Sequence, residues 1–111
     1  MIEIRRYVTA HGKDVFGEWL RKLRDRQAQA RILARLARLE TENFGDCRAL
    51  SRGIWELRID YGPGYRVYFA MIERTCVLLL VGGDKRSQSR DIGKAVERLL
   101  DYNRRTSGDA K

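Results

Sequence analysis

Two neighbouring segments in the middle of the chain alternate apolar and polar residues with a period of two, the signature of half-buried strands. In the first, Trp55, Leu57 and Ile59 fall on one side, with Glu56, Arg58 and Asp60 on the other. In the second, Tyr65, Val67, Phe69 and Met71 alternate with Arg66, Tyr68 and Ala70. Gly62-Pro63-Gly64 separates them and predicts a hairpin turn. If both polar faces lie on one side, paired positions must sum to an even number, because a one-residue slip would flip every side chain. The tightest loop meeting that condition is Tyr61-Gly62-Pro63, which sets Arg58 opposite Arg66 and Glu56 opposite Tyr68. Like charges directly opposite on a sheet repel. Two arginines held that way predict a site that awaits an anion. A third, fully apolar strand, Cys76 to Val81, follows and leads through Gly82-Gly83 to Lys85.

Helical periodicity flanks this unit. Phe16, Trp19, Leu20 and Leu23 recur at helical spacing from Val15 to Leu23, with Asp14 as the cap. After Arg24-Asp25-Arg26 a longer helix runs to about Glu42, burying Ile32, Leu36 and Leu39 and carrying Arg31, Arg35 and Arg38 along one face. That arginine stripe reads first as a solvated face and second as a partner contact. Gly45 is its stop signal. Ile2 to Val8 reads as a short first strand. Cys47 to Gly53, with Arg48 and Arg52, reads as a loop or short ladder segment. Gly82 to Gln88 is a connector, and Ser87 or Ser89 caps a last helix that runs to about Tyr102. The expected fold class is α+β, with helices packed on an antiparallel-rich sheet. Residues 1–105 form one domain, and Thr106 to Lys111 form a polar tail.

Composition sharpens the functional question. Of 111 residues, 23 are basic and 15 acidic, a net charge of +8, and all but five of the basic residues are arginine. Arginine's planar fork suits phosphate better than simple solvation, so nucleic acid, an anionic membrane surface or an acidic protein is the expected partner. No stretch is apolar enough to cross a membrane, and the N-terminal arginines sit inside a strand-like pattern rather than before an apolar run. Cys47 and Cys76 form no framework and no CxxC pair, so a reducing cytoplasm is expected and neither reads as a nucleophile. The single histidine, His11, lies in a turn. There is no metal-ligand cluster, no nucleophilic triad and no P-loop spacing around Gly82-Gly83.

The remaining constellation is cationic: Arg58, Arg66, Lys85 and Arg86, with Glu56, Tyr65 and Tyr68 alongside. Cleavage of an RNA phosphodiester requires an activated 2′-hydroxyl, stabilised charge on phosphorus and a protonated leaving oxygen. Arginine and lysine supply the electrostatic part without a metal or other cofactor, and close cations lower a lysine's pKa toward proton transfer. Arg52 and Arg86 add phosphate contacts, and Tyr65 and Tyr68 offer rings on which bases stack. The plainer reading pairs the arginines with Glu56 and Asp60 as surface salt bridges.

The segments FGEWLRKLRD, ARILARLARLETENFGD, WELRIDYGPGYRVYF and LLLVGGDKRSQSRDI resemble the RelE/ParE superfamily of type II toxins. The likeness is to the HigB-like branch, also called addiction module killer proteins, and covers about Phe16 to Leu100. It implies a compact microbial-RNase-type fold, in which a two-helix hairpin packs against a curved antiparallel sheet followed by a C-terminal helix. It also implies metal-independent cutting of mRNA on the ribosome, which inhibits translation. By position, the family's central sheet arginine matches Arg66, a basic position on the preceding strand matches Arg58, and the cation after the last strand matches Lys85 or Arg86. Where the RelE pattern carries a second lysine, this chain has Glu56. Where RelE has a tyrosine after the last strand, this chain has Ser87-Gln88-Ser89, and the histidines of HigB-type enzymes are absent. The resemblance therefore leaves Glu56 or Lys85 as the proton acceptor. It also implies a cognate antitoxin, a small helix-turn-helix protein. ParE-type members of the superfamily bind DNA gyrase instead of cutting RNA, which is the alternative target.

Overall fold

The computed structural model describes residues 1–109. The elements follow one another as β1 (Glu3–Arg6), α1 (Val15–Lys22), α2 (Arg26–Glu40), β2 (Cys47–Ala49), β3 (Trp55–Ile59), β4 (Tyr65–Ile72), β5 (Cys76–Asp84) and α3 (Gln88–Asp109), with a 3-10 turn over Lys85–Ser87. The protein is α+β, with a five-stranded mixed sheet and three helices. Strand order is β1-β5-β4-β3-β2; β1 runs parallel to β5 and every other pairing is antiparallel.

Local chemistry accounts for the boundaries. Asp14 caps α1 by accepting from Gly17 N–H, and Asp25 caps α2 by accepting from Gln27 and Ala28 N–H, satisfying donors that the first helical turn leaves free. Ser87 and Ser89 were the expected caps of the last helix. A 3-10 turn precedes that helix, and Asp84 caps the turn: its side chain accepts from Arg86 N–H, while Ser87 Oγ accepts from Asp84 N–H, a reciprocal box. α3 also continues to Asp109, well beyond Tyr102. Most of the segment read as a polar tail is thus helical, and residues 110–111 lie outside those described.

The sheet separates two apolar layers. Phe16 and Leu20 of α1 and Ala28, Ile32, Leu36 and Leu39 of α2 pack on Leu57, Ile59, Val67, Phe69 and Leu79. On the opposite face Ala95, Ile92, Val96 and Leu99 of α3 cover Ile54, Tyr68, Ala70, Leu78 and Leu80. The β3–β4 register sets Arg58 against Arg66 and Glu56 against Tyr68, as the even-sum rule predicts. Between β4 and β5 the pairing steps from Tyr68↔Val81 to Phe69↔Leu79. The extra residue is a bulge, and it leaves Leu80 and Val81 both in the α3 layer.

Beyond that bulge β5 changes character. Pairing with β1 stops at Leu79, and Gly82-Gly83 lie inside the strand rather than in a connector. Each glycine admits a neighbour that a methyl group would meet: a Cβ on Gly82 would stand 2.1 Å from the Trp19 ring, and one on Gly83 would stand 1.9 Å from Asp91 Oδ2. Of the helical arginine stripe, Arg35 turns inward and Arg31 lies over the Tyr61 ring at 4.5 Å, so two of the three are used within the fold.

Candidate functional site

The α3 face of β3 and β4 runs out beyond the helix N-terminus, and there the polar residues of both strands meet. At their centre is Glu56, a carboxylate with no exposed surface. Arg48 Nε of β2 donates to its Oε1 at 3.1 Å, and Gln88 Nε2, the first residue of α3, donates to Oε2 at 2.7 Å. Arg58 Nε lies 3.2 Å from Oε1 and Arg66 Nε 3.9 Å from Oε2. Neither of these two buried nitrogens makes a hydrogen bond of good geometry. One carboxylate thus serves three guanidinium groups and leaves a net positive charge. An uncompensated buried charge is costly, so Glu56 is what allows two arginines to face each other across the hairpin.

The cationic side chains open into one cleft of about 410 Å³, lined by Arg58, Arg66 and Lys85 with the Gly62-Pro63-Gly64 turn, Asp46 and Asp60. Arg66 is nearly buried at 8% exposure, while the Arg58 side chain is 37% exposed. Arg66 Nη1 donates to the carbonyls of Gly64 and Tyr65 at 3.4 and 3.3 Å. Lys85 N–H donates to Gly64 O at 2.9 Å, which holds the lysine backbone against the turn. Gly64 itself has φ of 82°, a conformation that favours glycine. Beneath Arg58, Arg35 donates to its carbonyl and to those of Phe44 and Asp46, while Arg58 N–H donates to Asp46 O at 3.0 Å. The arginine backbone is therefore fixed from both sides.

The expected residues do not all converge. Tyr65 projects from the other face of the sheet, 8% exposed and edge-on to Trp19 with ring centroids 6.3 Å apart. Tyr68 is fully enclosed, and its hydroxyl has no hydrogen bond of good geometry. Burial, then the Glu56 charge, pushes its phenol far above the ordinary range. Tyr68 is closed to a base and the nearly buried Tyr65 lies on the sheet face away from Arg66, which corrects the expectation that both stack bases beside the arginines. Arg52 sits exposed in the turn before β3 with φ of 59° and is not among the residues lining this cleft. Arg86 is exposed and tied to Asp84 at 3.1 Å, facing a different cleft from Lys85. Enclosed as it is, Glu56 has no path to a substrate proton, so the acceptor role expected of it has no geometric basis.

Three supporting residues escape a reading of the sequence: Arg48, Gln88 and Arg35. Arg48 lies directly across from Glu56, a pairing visible only once the short segment around Cys47 is assigned as a strand. Cys47 belongs to that strand, and burial pushes its thiol up to about 11, which keeps it protonated and unreactive near neutrality. Among the described residues, no three His, Cys, Asp or Glu side chains converge to hold a metal ion, and no helix is long and apolar enough to cross a membrane.

A family model described as phage derived protein Gp49-like (DUF891) matches residues 18–100, which takes in every residue of the cleft and of the Glu56 cluster. A protein of Haemophilus influenzae, described as uncharacterized, is 50% identical over 80 residues, covering 72% of this chain and 81% of that protein.

Proposed function

The chain belongs to the phage-derived Gp49-like family of the addiction-module killer (RelE-like) group, and from that premise we propose that it is a HigB-like toxin that cuts mRNA on the ribosome without a metal. Membership of the group implies an antitoxin partner, which we take to be a helix-turn-helix protein. The observation that supports the nuclease reading is the opposed pair Arg58 and Arg66, opening with Lys85 into one cleft and held by a shared buried counter-ion.

In the proposed reaction the scissile phosphate lies between the two guanidinium groups, which stabilise the charge that builds on its oxygens. The 2′-oxygen attacks phosphorus and loses its proton to solvent. The bond to the 5′-oxygen breaks, Lys85 donates a proton to that leaving oxygen, and a 2′,3′-cyclic phosphate remains. Glu56 serves as counter-ion and orienting group rather than as base.

The test is brief induction of the wild type and of Arg66→Ala in bacteria, with mRNA 5′ ends and plasmid supercoiling followed together. New ends within reading frames, absent from the variant, are the expected result. Intact mRNA with altered supercoiling would move the protein to the gyrase-directed class and leave the cleft without a catalytic role.

A further inference from the structure

A second cleft, of about 770 Å³, lies on the other side of the Asp84-Lys85-Arg86 turn. The half-buried ring of Trp19 forms one wall. Its position is set by Gly82, whose missing side chain makes room for the ring, and by Phe16 and Tyr65 at centroid distances of 5.6 and 6.3 Å. The other wall is α3, where Arg90 and Lys94 stand one helical turn apart and exposed. Arg90 reaches Asp91 only at 4.0 Å, and Lys94 has no ion pair among the described residues. The two carboxylates present are already engaged: Asp84 accepts from the backbone and side chain of Arg86, and Asp91 is buried with Ser87 Oγ donating to it.

A fixed aromatic wall facing two exposed cations is the combination that holds single-stranded nucleic acid, the ring for a base and the cations for the backbone. The two clefts flank one turn, with Lys85 lining the first and its neighbour Arg86 the second. We infer that this cleft is a flanking-nucleotide subsite, where Trp19 receives a base and Arg90 and Lys94 receive phosphates of the RNA strand whose scissile bond lies at Arg58 and Arg66. The inference rests on the nuclease reading and adds to it a means of gripping RNA away from the bond that is cut.

The experiment measures binding of a 2′-O-methyl hexanucleotide, which cannot be cleaved, and of a dinucleotide of the same chemistry. The full chain is compared with Arg90→Gln/Lys94→Gln and with Arg66→Gln. Two lost phosphate contacts on a single strand should make the plot of log affinity against log salt shallower by about 1.4, equivalent to about 25-fold weaker hexanucleotide binding at 0.1 M salt. Dinucleotide binding should be unchanged in that double variant and weakened in Arg66→Gln. Hexanucleotide affinity and salt slope unchanged in the double variant, but weakened in Arg66→Gln, would overturn the subsite and leave the nuclease reading standing. No RNA binding by the wild type would overturn both. A glutamate-rich decapeptide that binds the wild type but not the double variant, with RNA binding equal in the two, would assign the cleft to an acidic protein segment and overturn the subsite.

Discussion

Glu56 is the residue on which the site depends, because removing its charge leaves Arg48, Arg58 and Arg66 facing one another without a counter-ion. Breaking a buried pair costs about 3–5 kcal/mol; solvent screens the half-exposed Arg48 and Arg58, which places Glu56→Gln near the low end. A urea titration should show that loss. RNA cleavage should fall with it, while the pH profile of the residual activity keeps its shape. Disappearance of the acid limb in that variant would instead make Glu56 the base. The period-two pattern already placed Glu56, Arg58, Arg66 and Tyr68 on one face, and the even-sum rule already paired them correctly. Depth was not legible. Gln88 closes over Glu56 from a helix that begins thirty-two residues later, and no local pattern around Glu56 announces that contact. Tyr65 fails as a stacking residue for a reason the same alternation contained, since it falls on the opposite face from Arg66.

Elements meet at the far half of β5, where two successive glycines serve two different helices. Gly82→Ala would drive a methyl group into Trp19, and overpacking of this kind costs about 1–3 kcal/mol. Its urea midpoint should drop, whereas Gly93→Ala, with nothing within 4 Å of the added Cβ, should match or exceed the wild type because alanine is the better helix former. The sequence placed Gly82-Gly83 in a connector; the structure has both inside β5, with Trp19 and Asp91 packed where their side chains would be. The α1 cap carries a pH dependence. Burial alone would raise the Asp14 pKa, but the Gly17 N–H and the Arg6 guanidinium outweigh it and hold the carboxylate below its usual range. A depressed folded value stabilises the protein above about pH 4 and is lost as pH falls through that folded value. Asp14→Asn keeps a capping oxygen without this titration. Its stability should therefore fall less steeply on acidification, as urea midpoints between pH 5 and 2 will show.

At the scale of the whole molecule, a net charge of +8 points to an anionic partner but not to where it binds, because most of the arginines are occupied. Arg35 holds carbonyls, Arg98 donates to Leu80 O, and Arg5, Arg6, Arg104 and Arg105 pair with carboxylates. Arg58 and Arg66 differ in sharing one buried counter-ion while opening into a cleft with Lys85. If that cleft is an anion site, inorganic phosphate should bind the folded chain there and stabilise it by mass action. At ten times its Kd the gain is about 1.4 kcal/mol, which for a chain of this length raises Tm by about 6 °C. Chloride at equal ionic strength supplies the control for screening. In Arg58→Gln/Arg66→Gln most of the shift should vanish, while Arg52→Gln, outside the cleft, should retain it. A full shift in the first variant would mean that phosphate binds elsewhere, and the opposed arginines would then owe their position to Glu56 alone.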